Sequence, residues 1–336
     1  TVEAMTTQIV ASQVLPTQPI SPTGTQPVMN PTPAPSQSPQ AATTTPLPTE
    51  TPTATLPCDQ AEFVTETIPD GSQFFFGSVF TKTWTLRNAG SCTWTSSYEV
   101  EYTEGNLPDI LTYQKFTSGS VAPGQTVTVS LSITVPDNAG EYRADFKLRN
   151  ASGTTFSFKN PDKTFWIEIQ AVSGHLNLAD NFCAAEWTSG VGILPCPGKA
   201  GDAKGFVISD PAPVLENGYQ DDEIALWLGV QSMDNGYIQG TYPAMKIPAG
   251  SKFEAIIGCE QTAKTCDALI ALNYREGSGA MQTLTYWNET NDGAFHKVSY
   301  DLSALAGKNV QLILIVDAHG SAQGDKVHLL QPVIIP

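Results

Sequence analysis

The residues with the most chemistry open to them are six cysteines, at positions 58, 92, 183, 196, 259 and 266. Thiols in this number could ligate a metal, act as nucleophiles or pair as disulfides. Zinc does not fit, because no CxxC pair occurs and the four His are scattered. The even count, falling two to a local region, fits disulfides instead. Many connectivities are open in principle. Proximity along the chain favours Cys58 with Cys92, Cys183 with Cys196, and Cys259 with Cys266. The last pair flanks the polar tip Glu260–Thr265 and reads as a stapled hairpin loop. Three such bonds imply an oxidising, extracytoplasmic compartment.

The remaining reactive side chains do not assemble into a catalytic pattern. No GxSxG, HExxH, P-loop or strand–helix GxGxxG motif occurs, so no enzyme activity is expected. His296 falls on an alternating strand and His319 in an Asp-Ala-His-Gly loop. No cofactor is expected. The acidic run Asp221, Asp222 and Glu223 could offer oxygens to a structural Ca2+, although without EF-hand spacing a solvated turn explains it better. Asn150 and Asn288 open N-glycosylation sequons.

A sugar-binding platform would need exposed aromatic rings beside polar groups. Trp227, Trp287, Tyr219, Tyr237, Tyr242, Tyr274 and Tyr286 are available. In the run 283–288, Leu284 and Tyr286 share one face of a strand, and Thr285 and Trp287 the other. One of the two adjacent aromatics must then face away from the core, which makes Trp287 and Tyr286 the nominated platform. The run Ile224–Val230 is apolar on both faces and reads as a central strand, with Trp227 in the core.

Residues 1–57 hold 14 Thr, 12 Pro and 4 Ser, with no Lys, Arg, Cys or aromatic residue. Such a stretch cannot bury enough apolar surface to offset the entropy of ordering it, and its prolines favour an extended stalk. Its composition is that of O-glycosylated stalks. The prominent acceptors are Thr43, Thr44, Thr45, Thr49, Thr51, Thr53 and Thr55. Residues 2–15 differ, carrying the apolar side chains Val2, Met5, Ile9, Val10, Val14 and Leu15. This segment is too short to be stable alone and is expected to dock on a neighbouring subunit. Head-to-tail docking of that kind can propagate into an open fibre. A start at Thr1 reads as a processed or truncated N-terminus, compatible with an export signal or a lipid-bearing cysteine upstream.

The net charge of −16, without any basic run, excludes nucleic acid and anionic membrane surfaces as natural partners. No apolar run approaches the roughly 18 residues of a membrane span.

Residues 58–170 alternate with period two. Phe80, Trp84 and Leu86 share one face, as do Val127, Val129, Leu131, Ile133 and Val135, and again Tyr142, Ala144, Phe146 and Leu148. Thr164–Gln170 closes the set. Turns at Pro69–Gly71, Asn88–Gly90, Pro123–Gly124 and Pro136–Asn138 separate these strands, as in a β-sandwich. The residues Phe80, Lys82, Trp84, Leu86, Asn88, Gly90, Cys92 and Trp94 resemble the Ig-like four-tryptophan domain of the next-to-breast-cancer autophagy receptor. Pro123-Gly124-Gln125, Gly140, Tyr142, Phe146, Leu148 and Trp166 fit its second half. Phe146 stands at its third tryptophan position. The resemblance implies an Ig-like sandwich with Cys58 and Cys92 paired, tryptophans in the core, and no enzyme activity.

Residues 171–336 form a second all-β unit with candidate strands at 206–209, 224–231, 237–242, 252–258, 268–274, 283–288, 295–301, 310–317 and 326–335. The runs Ala294–Ser303, Gly307–Asp317 and Asp325–Ile334 resemble galactose-binding-like jelly rolls of carbohydrate-binding modules. Two readings of function follow. The leading one is an extracellular, glycosylated structural protein, bacterial by analogy, that assembles through its N-terminal segment. The alternative is a cell-surface carbohydrate-binding or adhesion protein with the Thr/Pro segment as spacer.

Overall fold

A computed structural model describes residues 56–160 and 162–336. The docking segment Val2, Met5, Ile9, Val10, Val14 and Leu15, and the acceptors Thr43 to Thr55, lie outside the described residues.

The first sandwich packs a three-stranded sheet on a larger one. Ala61–Glu66, Val79–Asn88 and Thr126–Thr134 make the small sheet. Ser72–Phe75, Phe165–Val172, Gly140–Arg149, Glu99–Gly105 and Tyr113–Lys115 make the other, in that order. Val79–Asn88 shows why alternation dictates the fold: Phe80, Lys82, Trp84, Leu86 and Asn88 all point inward and are buried. Trp84 lies edge-on to Phe165 and donates Nε1–H to the Trp166 carbonyl at 3.1 Å. Trp94 packs edge-on against Phe116, and Phe146 fills its expected core place. Trp166 is half-buried, with its Nε1–H on Asp70 and the Arg143 guanidinium 4.5 Å above its ring.

The run Asn88, Gly90, Cys92 is a local lock. The Asn88 amide donates to the Cys92 and Val121 carbonyls at 2.8 and 2.9 Å, and its oxygen accepts the Gly90 N–H at 3.1 Å. A Cβ on Gly90 would sit 2.2 Å from the Cys58 carbonyl oxygen, so only glycine lets the two segments approach. The three pairings favoured by proximity are all present: Cys58–Cys92, Cys183–Cys196 and Cys259–Cys266.

The second sandwich faces one sheet of Phe206–Asp210, Ala225–Gly229, Lys326–Ile335, Lys252–Cys259 and His296–Asp301 with another. The partner sheet runs Gly192–Ile193, Glu186–Ser189, Tyr237–Thr241, Asn309–Ala318, Asp267–Glu276 and Gln282–Thr290. Every strand nominated from the sequence is found, within a few residues at each end. Ala225–Gly229 is an inner strand, as its two apolar faces require. Among the described residues no helix is long and apolar enough to cross a membrane.

The two sandwiches belong to one compact unit, Ala54–Pro336. The boundary at 170/171 falls inside the strand Phe165–Val172. Phe75, from the first sandwich, is buried in the core of the second. Two asparagines complete the join by pairing with backbone as a peptide group would. Asn181 accepts the Gln73 N–H at 2.8 Å and donates to the Gln73 carbonyl at 2.9 Å. Asn309 does the same with Val79 at 3.0 and 2.7 Å.

Candidate functional site

At the end of the second sandwich away from that join, the loops 211–224, 230–236, 260–266, 291–295 and 319–325 come together. Two of them carry the exposed aromatics. In the first, Val214 bridges Gln220 and the Leu215 N–H bonds the Tyr219 carbonyl at 2.9 Å. The result is a small hairpin with Asn217-Gly218 at its tip, where Gly218 takes φ +83°. Buried Leu215 pins this hairpin onto the sheet against Ala225 and Leu330, and it bridges Glu260 at the edge of the stapled loop. In the second loop, Asp292 accepts the Ala294 N–H at 2.9 Å and Gly293 takes φ +86°.

These anchors set Tyr219 beside Phe295. The rings are 53% and 37% exposed, with centroids 6.3 Å apart and planes 31° from parallel. Asn217, Gln261, Asp292 and His296, on the same or adjoining segments, are exposed. Beneath the pair lie two buried carboxyls, Glu216 at 6% exposure and Glu289 at 0%. Burial raises the pKa of both. The amides of Ala294 and Gly293 offset part of the rise on Glu216 without reaching hydrogen-bonding geometry on it. His296 Nδ1 lies 3.1 Å from Glu289 Oε2, and that contact raises the imidazole pKa.

The nominated platform is distributed differently. Tyr286 is 64% exposed, as one of the two aromatics had to be. Trp287 turns to the core and stacks on Phe253 at 5.9 Å. The reading that put Leu284 and Trp287 on opposite faces is corrected by a β-bulge. Leu272 faces Thr285 and Asn273 faces Thr283, so Leu284 is the extra residue and both side chains pack against the core. Tyr286 and Trp287 therefore form no shared surface.

Other nominated residues have plain surroundings. The Asp221 carboxylate caps the Glu223 N–H at 2.9 Å in an exposed turn. The Asn150 amide nitrogen, which a glycan would take, donates to Asp59 at 2.8 Å, whereas Asn288 is exposed on an edge strand. Phe295 and the buried carboxyls were missed. The Asn217-Gly218 dipeptide, a strong turn signal, was the available clue to the hairpin.

Two further polar places compete for attention. A cleft of about 500 Å³ is lined by Asp202, Ser232, Met233, Gln323 and Asp325. It presents no exposed aromatic face, since its Phe206 is buried. On the neighbouring sheet face, buried His328 sits 3.1 Å from Asp210 and beside the Trp227 ring. Burial lowers its pKa from the usual 6.5, with Asp210 and Glu260 opposing in part. In the folded chain His328 thus stays neutral at a pH where the unfolded chain has taken up a proton. Stability from this group is full above about pH 6.5 and falls as the pH drops toward the folded value, by at most about 1.4 kcal/mol per pH unit. Urea denaturation at pH 7 and pH 5 should show a smaller loss in His328→Gln than in the parent. Equal losses would show that His328 titrates normally.

The Phe80–Trp94 run of the first sandwich can now be set against known proteins. Residues 67–171 match the family model described as the Ig-like domain from next to BRCA1 gene. The human Next to BRCA1 gene 1 protein is 29% identical over 97 residues, 29% of this chain and 10% of that protein. The mouse protein is 29% identical over 94 residues, with 28% and 10% covered. The chain thus matches about a tenth of the length of these relatives. Among solved structures, a carbohydrate-binding module of the beta-sandwich superfamily has a TM-score of 0.31 at 10% identity, over 82% of this chain and 98% of its own. A module from Clostridium perfringens in complex with methyl-galactose has a TM-score of 0.31 at 15% identity, over 48% and 99%.

Proposed function

We propose that this chain is an extracellular carbohydrate-binding or adhesion protein whose second sandwich presents the binding surface. The supporting observation is the Tyr219–Phe295 pair. Two exposed rings on anchored loops, tilted 31° to one another, offer an apolar surface that suits the C–H face of a pyranose, and exposed amide, carboxylate and imidazole side chains on neighbouring residues can meet hydroxyls. The role is binding rather than turnover. The Ig-like sandwich serves as the body that fixes this end outward, and three disulfides suit an oxidising setting. The 57-residue Thr/Pro segment suits a glycosylated spacer.

The test is binding of the intact chain to a glycan and polysaccharide array, followed by titration of the best binder. Tyr219→Ala and Phe295→Ala should each weaken affinity by about 30-fold, the loss of roughly 2 kcal/mol expected for a central aromatic anchor. Tyr219→Ala should melt close to the parent, whereas Phe295→Ala, whose ring is more than half buried, should lose a little stability as well. Trp287→Ala should lower the melting temperature through lost packing instead. No binding to any sugar class, or binding untouched by both platform variants, would remove this reading.

A further inference from the structure

We propose that Glu216 and Glu289 form the core of a site for a hard divalent cation, of the Ca2+ type, beside the loops that carry Tyr219 and Phe295, with Asp292 on its solvent side. Two observations carry it. First, carboxylate oxygens of Glu216 and Glu289 lie within 4.8 Å of one another. Oxygens bound to one Ca2+ at about 2.3–2.6 Å can be at most about 5 Å apart, so this pair fits a shared ion. Second, both oxygens of Glu216 and Oε1 of Glu289 are buried without a hydrogen-bond partner. Buried carboxyl oxygens of that kind are costly unless something binds them.

The surrounding groups agree with an oxygen-bound ion. His296 takes the outer oxygen of Glu289, fixing the carboxylate and leaving Oε1 directed inward. Asp292 is half-exposed, with Oδ2 4.0 Å from His296 Nε2, and offers a path to solvent for the ion and its waters. Cys259 lies in the same cluster, but its sulfur is bonded to Cys266 and is not a thiolate ligand. Three carboxylates face one imidazole here, and a doubly charged ion restores the balance. The ion would tie the 211–224 hairpin to the strand Gln282–Thr290. The exposed acidic run at 221–223 is not part of the site.

The competing account is that the two buried carboxyls share a proton and need no metal. Calorimetric titration of Ca2+, and separately Mg2+, into the chelator-stripped full chain separates the two, with thermal melts run alongside. Neither measurement requires a sugar, so it stands apart from the carbohydrate reading. The expected result is Ca2+ binding with a raised melting temperature. Glu216→Gln and Glu289→Gln should each weaken binding at least about tenfold, while Asp222→Asn binds like the parent. Without metal, Glu289→Gln should melt no lower than the parent, because it removes a buried charge. Absence of heat and of any melting shift at millimolar Ca2+ and Mg2+ would overturn the site. So would parental Ca2+ binding in both glutamine variants.

Discussion

Lys82→Ala lowers the stability of the chain by about 3–5 kcal/mol, the range for breaking a buried ion pair by removing one partner. Lys82 sits on the inward face of Val79–Asn88 with its side chain fully buried. Its ammonium donates to the Ile68 carbonyl at 2.7 Å, pairs with Glu66 at 2.8 Å and lies 5.4 Å from the centre of the Trp84 ring. Burial pushes its pKa down, with Glu66 working against that. Ile68 has φ +58°, a conformation that β-branched residues avoid, and the ammonium holds its carbonyl in place. Alanine leaves the carbonyl unsatisfied, Glu66 without its cation and a cavity beside Trp84. Lys82→Met also removes the cation from Glu66 and the Ile68 carbonyl but keeps most of the packing, so it should cost less than Lys82→Ala by the cavity that alanine leaves beside Trp84. Urea denaturation of both variants checks the ordering. Equal, small losses would mean that the ammonium does not organise this core.

Phe75→Ala is the second large effect, about 3–5 kcal/mol for a fully buried phenylalanine. Phe75 ends the edge strand Ser72–Phe75 of the first sandwich, yet its ring belongs to the core of the second. Its loss should therefore weaken the join as well as the core. Asn181→Ala, which removes the two bonds to Gln73, should cost less, about 1 kcal/mol per bond. The readout is calorimetric. Phe75→Ala should lower the melting temperature and separate the unfolding of the two sandwiches, whereas Asn181→Ala should keep a single transition. A Phe75→Ala chain that melts as the parent does would contradict the shared core.

How far the sequence carried this structure depends on what each signal measures. Alternation placed the long strands because one buried face forces it, as in Val79–Asn88 and Asn309–Ala318. Lys82 shares the parity of Phe80, Trp84 and Leu86 and is buried with them, against the preference of a charged side chain for the surface. Strands such as Glu99–Gly105, with three Glu and a terminal Gly, carry too little apolar pattern to be nominated. Cysteine proximity gave the right pairs because each bond closes a local loop. The aromatic surface was harder. Trp287 and Tyr286 could be told apart only by the bulge at Leu284, which shifts parity and leaves little trace in residue types. Tyr219 and Phe295 lie 76 positions apart and meet only because Leu215 pins one loop across the sheet toward the other. Glu216 and Glu289 looked like ordinary surface acids until burial set them together.

The most direct measurement is NMR shift mapping of the full chain on addition of the best-binding saccharide from the array. The account predicts that the largest changes fall on Asn217–Tyr219, Gln261 and Asp292–His296, with Tyr286 and the Ser232–Gln323 cleft unmoved. Changes centred on that cleft, on Tyr286 or on the Ig-like sandwich would contradict the placement of the binding surface at the Tyr219–Phe295 pair.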